Sequence, residues 1–156
     1  QWLIESFRSL ENPDVKLYIA GKGKLEEYVK SAAKQDSRIQ FVGFLGEKEV
    51  SELLEKTDVL IAPSIWEEPF GRIVLDAYKH AMPVIVSDCG ALPTLVEEGR
   101  TGLVVNSKES DSLENAMRYF IRNPEKIAEF SKNSAKKIKS FSLDAQYQMF
   151  WDVYQR

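Results

Sequence analysis

Residues Asp58 to Ser87 read DVLIAPSIWEEPFGRIVLDAYKHAMPVIVS, and this stretch decides the fold. Asp58–Pro63 (DVLIAP) and Pro83–Ser87 (PVIVS) are apolar runs of strand length. Neither alternates apolar with polar positions, so each predicts a strand covered on both faces. Between them a loop extends to about Pro69, and Gly71–Ala81 places Ile73, Ala77 and Ala81 at helical spacing. A strand, a helix of roughly 10 residues and a second doubly covered strand predict a parallel sheet with helices on its faces.

The same alternation continues outward. Upstream, Leu3, Phe7 and Leu10 recur at i, i+4 and i+7 and predict a helix over about 1–10, ending near Asn12-Pro13. Val15–Ala20 (VKLYIA) predicts a strand stopped by Gly21-Lys22-Gly23, and Leu25, Tyr28, Val29 and Ala32 a helix. Ile39–Phe44 (IQFVGF) predicts the next strand, and Val50, Leu53 and Leu54 a helix after the break at Gly46. Downstream, a short helix over 92–97 precedes a fifth strand at Thr101–Val105 (TGLVV). From Glu109 the pattern is helical only, broken at Asn123-Pro124 and again at Ser140–Ser142. The expectation is one doubly wound α/β domain, with 1–106 as the sheet layer and 107–156 as a helical tail.

Composition excludes several classes. The 156 residues are 44% hydrophobic and 29% charged, which suits a packed core and neither a fibrous nor a disordered chain. Lys+Arg number 21 against 24 Asp+Glu, and a net charge of −3 argues against a nucleic-acid partner. No apolar run approaches the roughly 18 residues of a spanning helix. Cys89 is the single cysteine, so no internal disulfide forms and a reducing, cytoplasmic setting is expected. The chain lacks an initial Met and opens directly on a helical face, which reads as an excerpt of something longer.

Two phosphate signatures fail. Gly21-Lys22-Gly23 follows a strand and opens a helix, but position 26 is Glu, where a dinucleotide fingerprint has its third glycine. No Gly-x4-Gly-Lys-Ser/Thr occurs. One His and one Cys without ligand spacing leave no metal site; His80 reads as a surface or packing histidine, and Cys89 as a small buried residue at a strand end. The loop from Pro63 is different. In an open parallel sheet, ligands bind beyond the carboxyl ends of the strands, where loops feed helix N-termini. Glu68 lies at such an end, and the free N–H groups of Gly71, Arg72 and Ile73 would face the same crevice with the helix dipole behind them. Gly71 has no side chain to keep an anion from the backbone. Asp76 falls in the second turn, and Asp88-Cys89-Gly90-Ala91 and the Gly43–Gly46 turn occupy two more carboxyl ends. Glu68 has a second reading, as a simple cap of this helix. Asp76 has one as a surface helix residue.

The order Glu68-Pro69-Phe70-Gly71, Asp76-Ala77, Met82-Pro83-Val84-Ile85, Gly90-Ala91-Leu92-Pro93 and Glu98-Gly99-Arg100-Thr101-Gly102 resembles the C-terminal, donor-binding domain of retaining GT-B glycosyltransferases of the large "glycosyl transferases group one" family. The resemblance extends to Val15–Gly23, Phe41–Leu45, Asp58–Ser64 and the tail up to Phe141-Ser142. It implies a Rossmann-like sheet and a metal-independent hexosyltransferase that uses a nucleotide diphosphate sugar as substrate and no cofactor. It also implies roles for single residues. Glu68, the catalytic-site acid, would bond hydroxyls of the donor sugar, and the backbone of Phe70, Gly71, Arg72 and Ile73 would hold the diphosphate. Asp76 would take the ribose hydroxyls, with the Gly21–Gly23 turn and Phe44-Leu45 lining the nucleotide. The family usually has Glu at the Asp76 position, so the carboxylate here is one methylene shorter.

A larger departure lies at the front. The family's first strand, with a following loop that carries an Arg and a Lys for the departing diphosphate, has no counterpart in this sequence. Arg72 or Lys22 would stand in, or each is a solvated surface charge. In the family that strand is central, between the strands at 15–20 and 58–63, so this chain by itself is expected to be weakly stable or to self-associate. An N-terminal acceptor domain is likewise expected beyond this chain, and a glycan or lipid-linked saccharide as acceptor, as in polysaccharide or lipopolysaccharide synthesis. Lys132, Lys136, Lys137 and Lys139 read as a solvated face or as a contact with an anionic membrane surface. Trp66 either covers the sugar or packs within the loop. Two alternatives stand beside the transferase: a non-catalytic nucleotide-sugar-binding or regulatory module, and a GT-B-type epimerase.

Overall fold

A computed structural model describes residues 1–155. Five parallel strands alternate with helices in the order α1 (Trp2–Arg8), β1 (Leu17–Ala20), α2 (Glu26–Gln35), β2 (Ile39–Gly43), α3 (Glu47–Leu54), β3 (Leu60–Ala62), α4 (Arg72–Lys79), β4 (Val84–Ser87), α5 (Leu92–Leu95) and β5 (Gly102–Val105). The tail follows as α6 (Ser112–Arg122), α7 (Pro124–Lys137), a 3₁₀ turn (Ile138–Phe141) and α8 (Leu143–Tyr154). Every element expected from the sequence is present, with strands one to three residues shorter than their apolar runs. The tail breaks where expected, because Pro124 opens α7 without an N–H to lose and Ser142 caps α8 by accepting from the Ala145 N–H at 3.2 Å.

The strands form two sheets. β1 pairs with β2 in parallel, Leu17 opposite Ile39, and β3, β4 and β5 pair in that order with Ile61 opposite Ile85 and Ile85 opposite Leu103. β1 and β3 are not hydrogen-bonded to each other, so the single sheet that the alternation suggests is divided between them. All four residues of β4 are buried, while Leu60, Ile61 and Ala62 of β3 are only half-buried. That contrast marks β4 as a central strand and β3 as an edge.

Side-chain alternation on β4 explains the two layers. Ile85 enters a core with Ile4, Phe7, Leu17, Ile39, Leu113, Phe120 and Phe130, under α1, α6 and α7. Val84 and Val86 face Leu54, Val74, Tyr78, Leu92 and Leu95, under α3, α4 and α5. The first core joins the two sheets, because β1, β2, β4 and β5 all contribute to it. α4 is tied into the second by Tyr78, fully buried, whose hydroxyl lies 2.8 Å from Thr101 Oγ1 and donates to the Leu95 carbonyl at 3.3 Å. Burial pushes that phenol up to about 12. Among the described residues, no helix is long and apolar enough to cross a membrane.

Candidate functional site at the carboxyl ends of the strands

All the loops that leave the strands at their carboxyl ends lie on one edge of the parallel sheets, and the residues singled out above lie in these loops or in the helices that follow. They fall into two groups. The first is built on β3, β4 and α4. α4 starts at Arg72 with Gly71 as its N-cap, in the left-handed region at φ 82°. Glycine is needed here for a reason beyond access to the backbone. A Cβ would stand 2.6 Å from Leu92 Cδ2 and 3.2 Å from Leu95 Cδ1, so α4 begins pressed against α5.

No side chain caps this helix and its first turn holds no acid. The capping role considered for Glu68 is therefore not the one it has. The half-buried Glu68 makes its protein contact through the backbone, where its carbonyl accepts from the Ala91 N–H at 2.8 Å. The N–H groups at the start of α4 are left without a side-chain acceptor, so the helix dipole and these donors face outward together. Arg72 and Ile73 are exposed, as is Phe70, while Gly71 is buried.

Asp76 lies one turn on, with its side chain 27% exposed. It accepts from Lys79 Nζ at 2.9 Å and stands 3.9 Å from Arg72 Nε. Arg72 in turn reaches Glu47 at the start of α3 with its Nη2 at 3.3 Å. Arg72 is thus an exposed residue shared between two acids. Lys22 stands over the Phe44 ring at 5.1 Å from its centroid.

That contact belongs to the second group. Gly21, Lys22 and Gly23 follow β1, Phe44 and Leu45 follow β2, and the Gly21 N–H donates to the Gly43 carbonyl at 2.6 Å. Phe44 is 68% exposed and Leu45 half-buried. The Arg72–Glu47 ion pair connects the two groups. Around them Phe44, Ile65, Trp66, Phe70 and Ile73 expose apolar surface, and Trp66 at 60% exposure is not packed into its loop.

The sequence places Asp88–Ala91 at a strand's carboxyl end without pointing to a task for it. It is the support of the Glu68 loop. The buried Ser87 donates from Oγ to the Ser64 carbonyl at 2.6 Å, and the Ala91 N–H reaches Glu68. The glycine after a strand was visible; its partner, more than twenty residues earlier in the chain, was not. Asp88 accepts from the Ser107 N–H at 2.9 Å, and the hydrogen bonding of Ser107 holds its carboxyl below the usual range. His80 and Cys89 are both half-buried, so Cys89 is less enclosed than the small buried residue expected at a strand end. His80 Nε2 lies 3.0 Å from Ser51 Oγ, and Cys89 Sγ donates to Ser107 Oγ at 3.4 Å.

Comparison with known proteins gives this geometry a context. The family model described as "Glycosyl transferases group 1" matches residues 1–137. Spore coat protein SA of Bacillus subtilis is 30% identical over 109 residues, which cover 64% of this chain and 29% of that protein. Phosphatidyl-myo-inositol mannosyltransferase of Mycobacterium leprae is 30% identical over 110 residues, 70% of this chain and 29% of that one. Among solved structures, Anabaena Alr3699/HepE in complex with UDP and glucose superposes with a TM-score of 0.82 at 25% identity, covering 99% of this chain and 44% of that chain. This chain therefore spans less than half the length of these proteins.

Proposed function

The chain belongs to the glycosyl transferases group 1 family, and from that premise we propose that it is the donor-binding half of a retaining GT-B glycosyltransferase. It would move a hexose from a nucleotide diphosphate sugar to a glycan or lipid-linked acceptor, with the acceptor site on a second domain. The observation that carries this reading is the uncapped N-terminus of α4 beside Glu68. Transfer from a nucleotide sugar needs stabilisation of an anionic leaving group more than it needs a nucleophile. Preorganised N–H donors and a helix dipole supply that stabilisation without a metal ion.

In this reading the N–H groups of Gly71, Arg72 and Ile73 take the diphosphate, with the Phe70 backbone beside them. Glu68 takes hydroxyls of the sugar, and Asp76 the ribose hydroxyls in competition with Lys79. The Gly21–Gly23 turn, Phe44 and Leu45 border the nucleotide from the other group. The bound UDP and glucose in the Anabaena protein support a nucleotide-sugar donor. The test is a titration of the isotopically labelled protein with UDP, GDP and ADP, read by amide chemical shifts. One of the three should move Gly71, Arg72 and Ile73 more than any residue of α6, α7 or α8. A folded protein in which none does so rules the diphosphate assignment out.

A further inference from the structure

We infer that Gly90 is a positioning residue for Glu68: the absence of its side chain lets the β4–α5 turn lie directly against the Glu67-Glu68 backbone and set the Glu68 carboxylate relative to the start of α4. The inference rests on the donor reading of Glu68. Gly90 has φ +59°, and a Cβ built on it would lie 2.3 Å from Glu68 N, 2.4 Å from Glu68 O and 2.9 Å from Glu67 C. These are backbone atoms, which cannot rotate away as a side-chain end can. The clash differs in that respect from the one at Gly71, where leucine methyl groups stand in the path.

The contact matters because so little else holds the loop. Ser87 fixes its beginning at Ser64, and Gly71 its end against Leu92 and Leu95. Between those points, Ile65 and Trp66 are 77% and 60% exposed. Among the described residues the Ala91 N–H to the Glu68 carbonyl, at 2.8 Å, is the hydrogen bond that holds the residues between 64 and 71 from another loop. Close approach of Gly90 is what allows that bond. A hydroxyl-reading acid must be placed to within a fraction of an ångström, and here the placement comes from the neighbouring turn.

The test compares Gly90→Ala with Gly99→Ala in the full-length enzyme. Gly99 has φ +69° and nothing within 4 Å of its Cβ position, so it reproduces the left-handed strain without the collision. Ala91→Pro is the second variant. Its φ of −80° suits proline, and the change replaces the N–H that reaches Glu68 with a ring Cδ, so it breaks the same contact while leaving Gly90 in place. Three readouts are taken: amide hydrogen exchange over the loop, inhibition by the free nucleoside diphosphate, and kcat/KM for whichever of UDP-glucose, GDP-mannose and ADP-glucose is turned over. Gly90→Ala and Ala91→Pro should speed exchange at Glu67-Glu68 and lower kcat/KM by about ten- to a hundredfold. Inhibition by the diphosphate should stay near wild type, because α4 is untouched. Gly99→Ala should change none of the three.

Equal losses in Gly90→Ala and Gly99→Ala would overturn the inference, as would wild-type exchange at Glu67-Glu68 in both test variants. Should Gly90→Ala not fold while Gly99→Ala does, Ala91→Pro decides alone. Faster exchange with unchanged kcat/KM also overturns it. In that last case Glu68→Gln shows which idea failed: a strong loss leaves the donor reading standing without Gly90, and no loss removes the donor reading itself.

Discussion

Glu68 is held by its backbone and leaves its carboxylate free of the helix it precedes, which separates folding from function at one residue. Glu68→Gln in the full-length enzyme should therefore melt at the wild-type temperature. Its transfer rate should fall by the equivalent of ~1.5–3 kcal/mol, the worth of a hydrogen bond to a charged group. Wild-type kinetics would remove Glu68 from the site. Asp76 presents the opposite case, since its carboxylate already accepts from Lys79. Asp76→Ala should weaken nucleotide binding, and Asp76→Glu should keep or tighten it. Lys79→Ala is the control that removes the ion pair and leaves the carboxylate. If nucleotide affinity is the same in wild type, Asp76→Ala and Asp76→Glu, Asp76 is a surface helix residue paired with Lys79. At this scale the sequence carried residue types and spacing well, because Glu68, Gly71 and Asp76 lie on one strand–loop–helix unit. It did not carry Gly90, since a collision with a backbone elsewhere in the chain leaves no local pattern.

The elements were legible for the reason that parallel strands are: β4 reads as an unbroken apolar run because Val84 and Val86 serve one core and Ile85 the other. The joints between elements were not. Arg38 ties the end of α1 to the sheet by donating to the carbonyls of Leu10 and Asn12, while its guanidinium lies 4.9 Å from the centroid of the Phe7 ring. Asp36 holds Arg38 in place through two oxygens, at 2.7 and 3.0 Å. Nothing in Asp36-Ser37-Arg38 distinguishes this from a solvated charge pair. The hydrogen bonds of Arg38 hold the Asp36 carboxyl below its usual range. A folded-state value below the unfolded one means stability that is present at neutral pH and lost as pH falls through the carboxylate range. Asp36→Asn should accordingly destabilise the protein by about 1 kcal/mol near pH 7, allowing for partial exposure of the pair. The difference from wild type should shrink toward pH 3, which urea unfolding at both pH values measures. A deficit that is the same at both would show that the loss is one of packing.

At the scale of the whole molecule, two surfaces are left open. β1 and β3 end their respective sheets without pairing to each other, although one core runs beneath both sheets. The family's strand order anticipated this division, because it places a further strand between them. α8 is the second open surface: it buries none of its residues, and Leu143, Tyr147, Phe150, Trp151 and Tyr154 are all exposed at helical spacing. Unpaired edges and an apolar helix face both favour association with another chain. The 156-residue chain in isolation should therefore sediment as a concentration-dependent mixture rather than as one monomer. The two surfaces can be told apart by variants. Phe150→Glu with Tyr147→Glu puts charge on α8 and leaves the strands unchanged, whereas Ile61→Lys charges β3 and leaves α8 unchanged. Relief of association by the α8 pair assigns it to the helix, and relief by Ile61→Lys alone assigns it to the open edge. A wild-type chain that stays monomeric across the whole concentration series, with a cooperative unfolding transition, would show that neither surface needs a partner. The strand expected between β1 and β3 would then be dispensable for this fold.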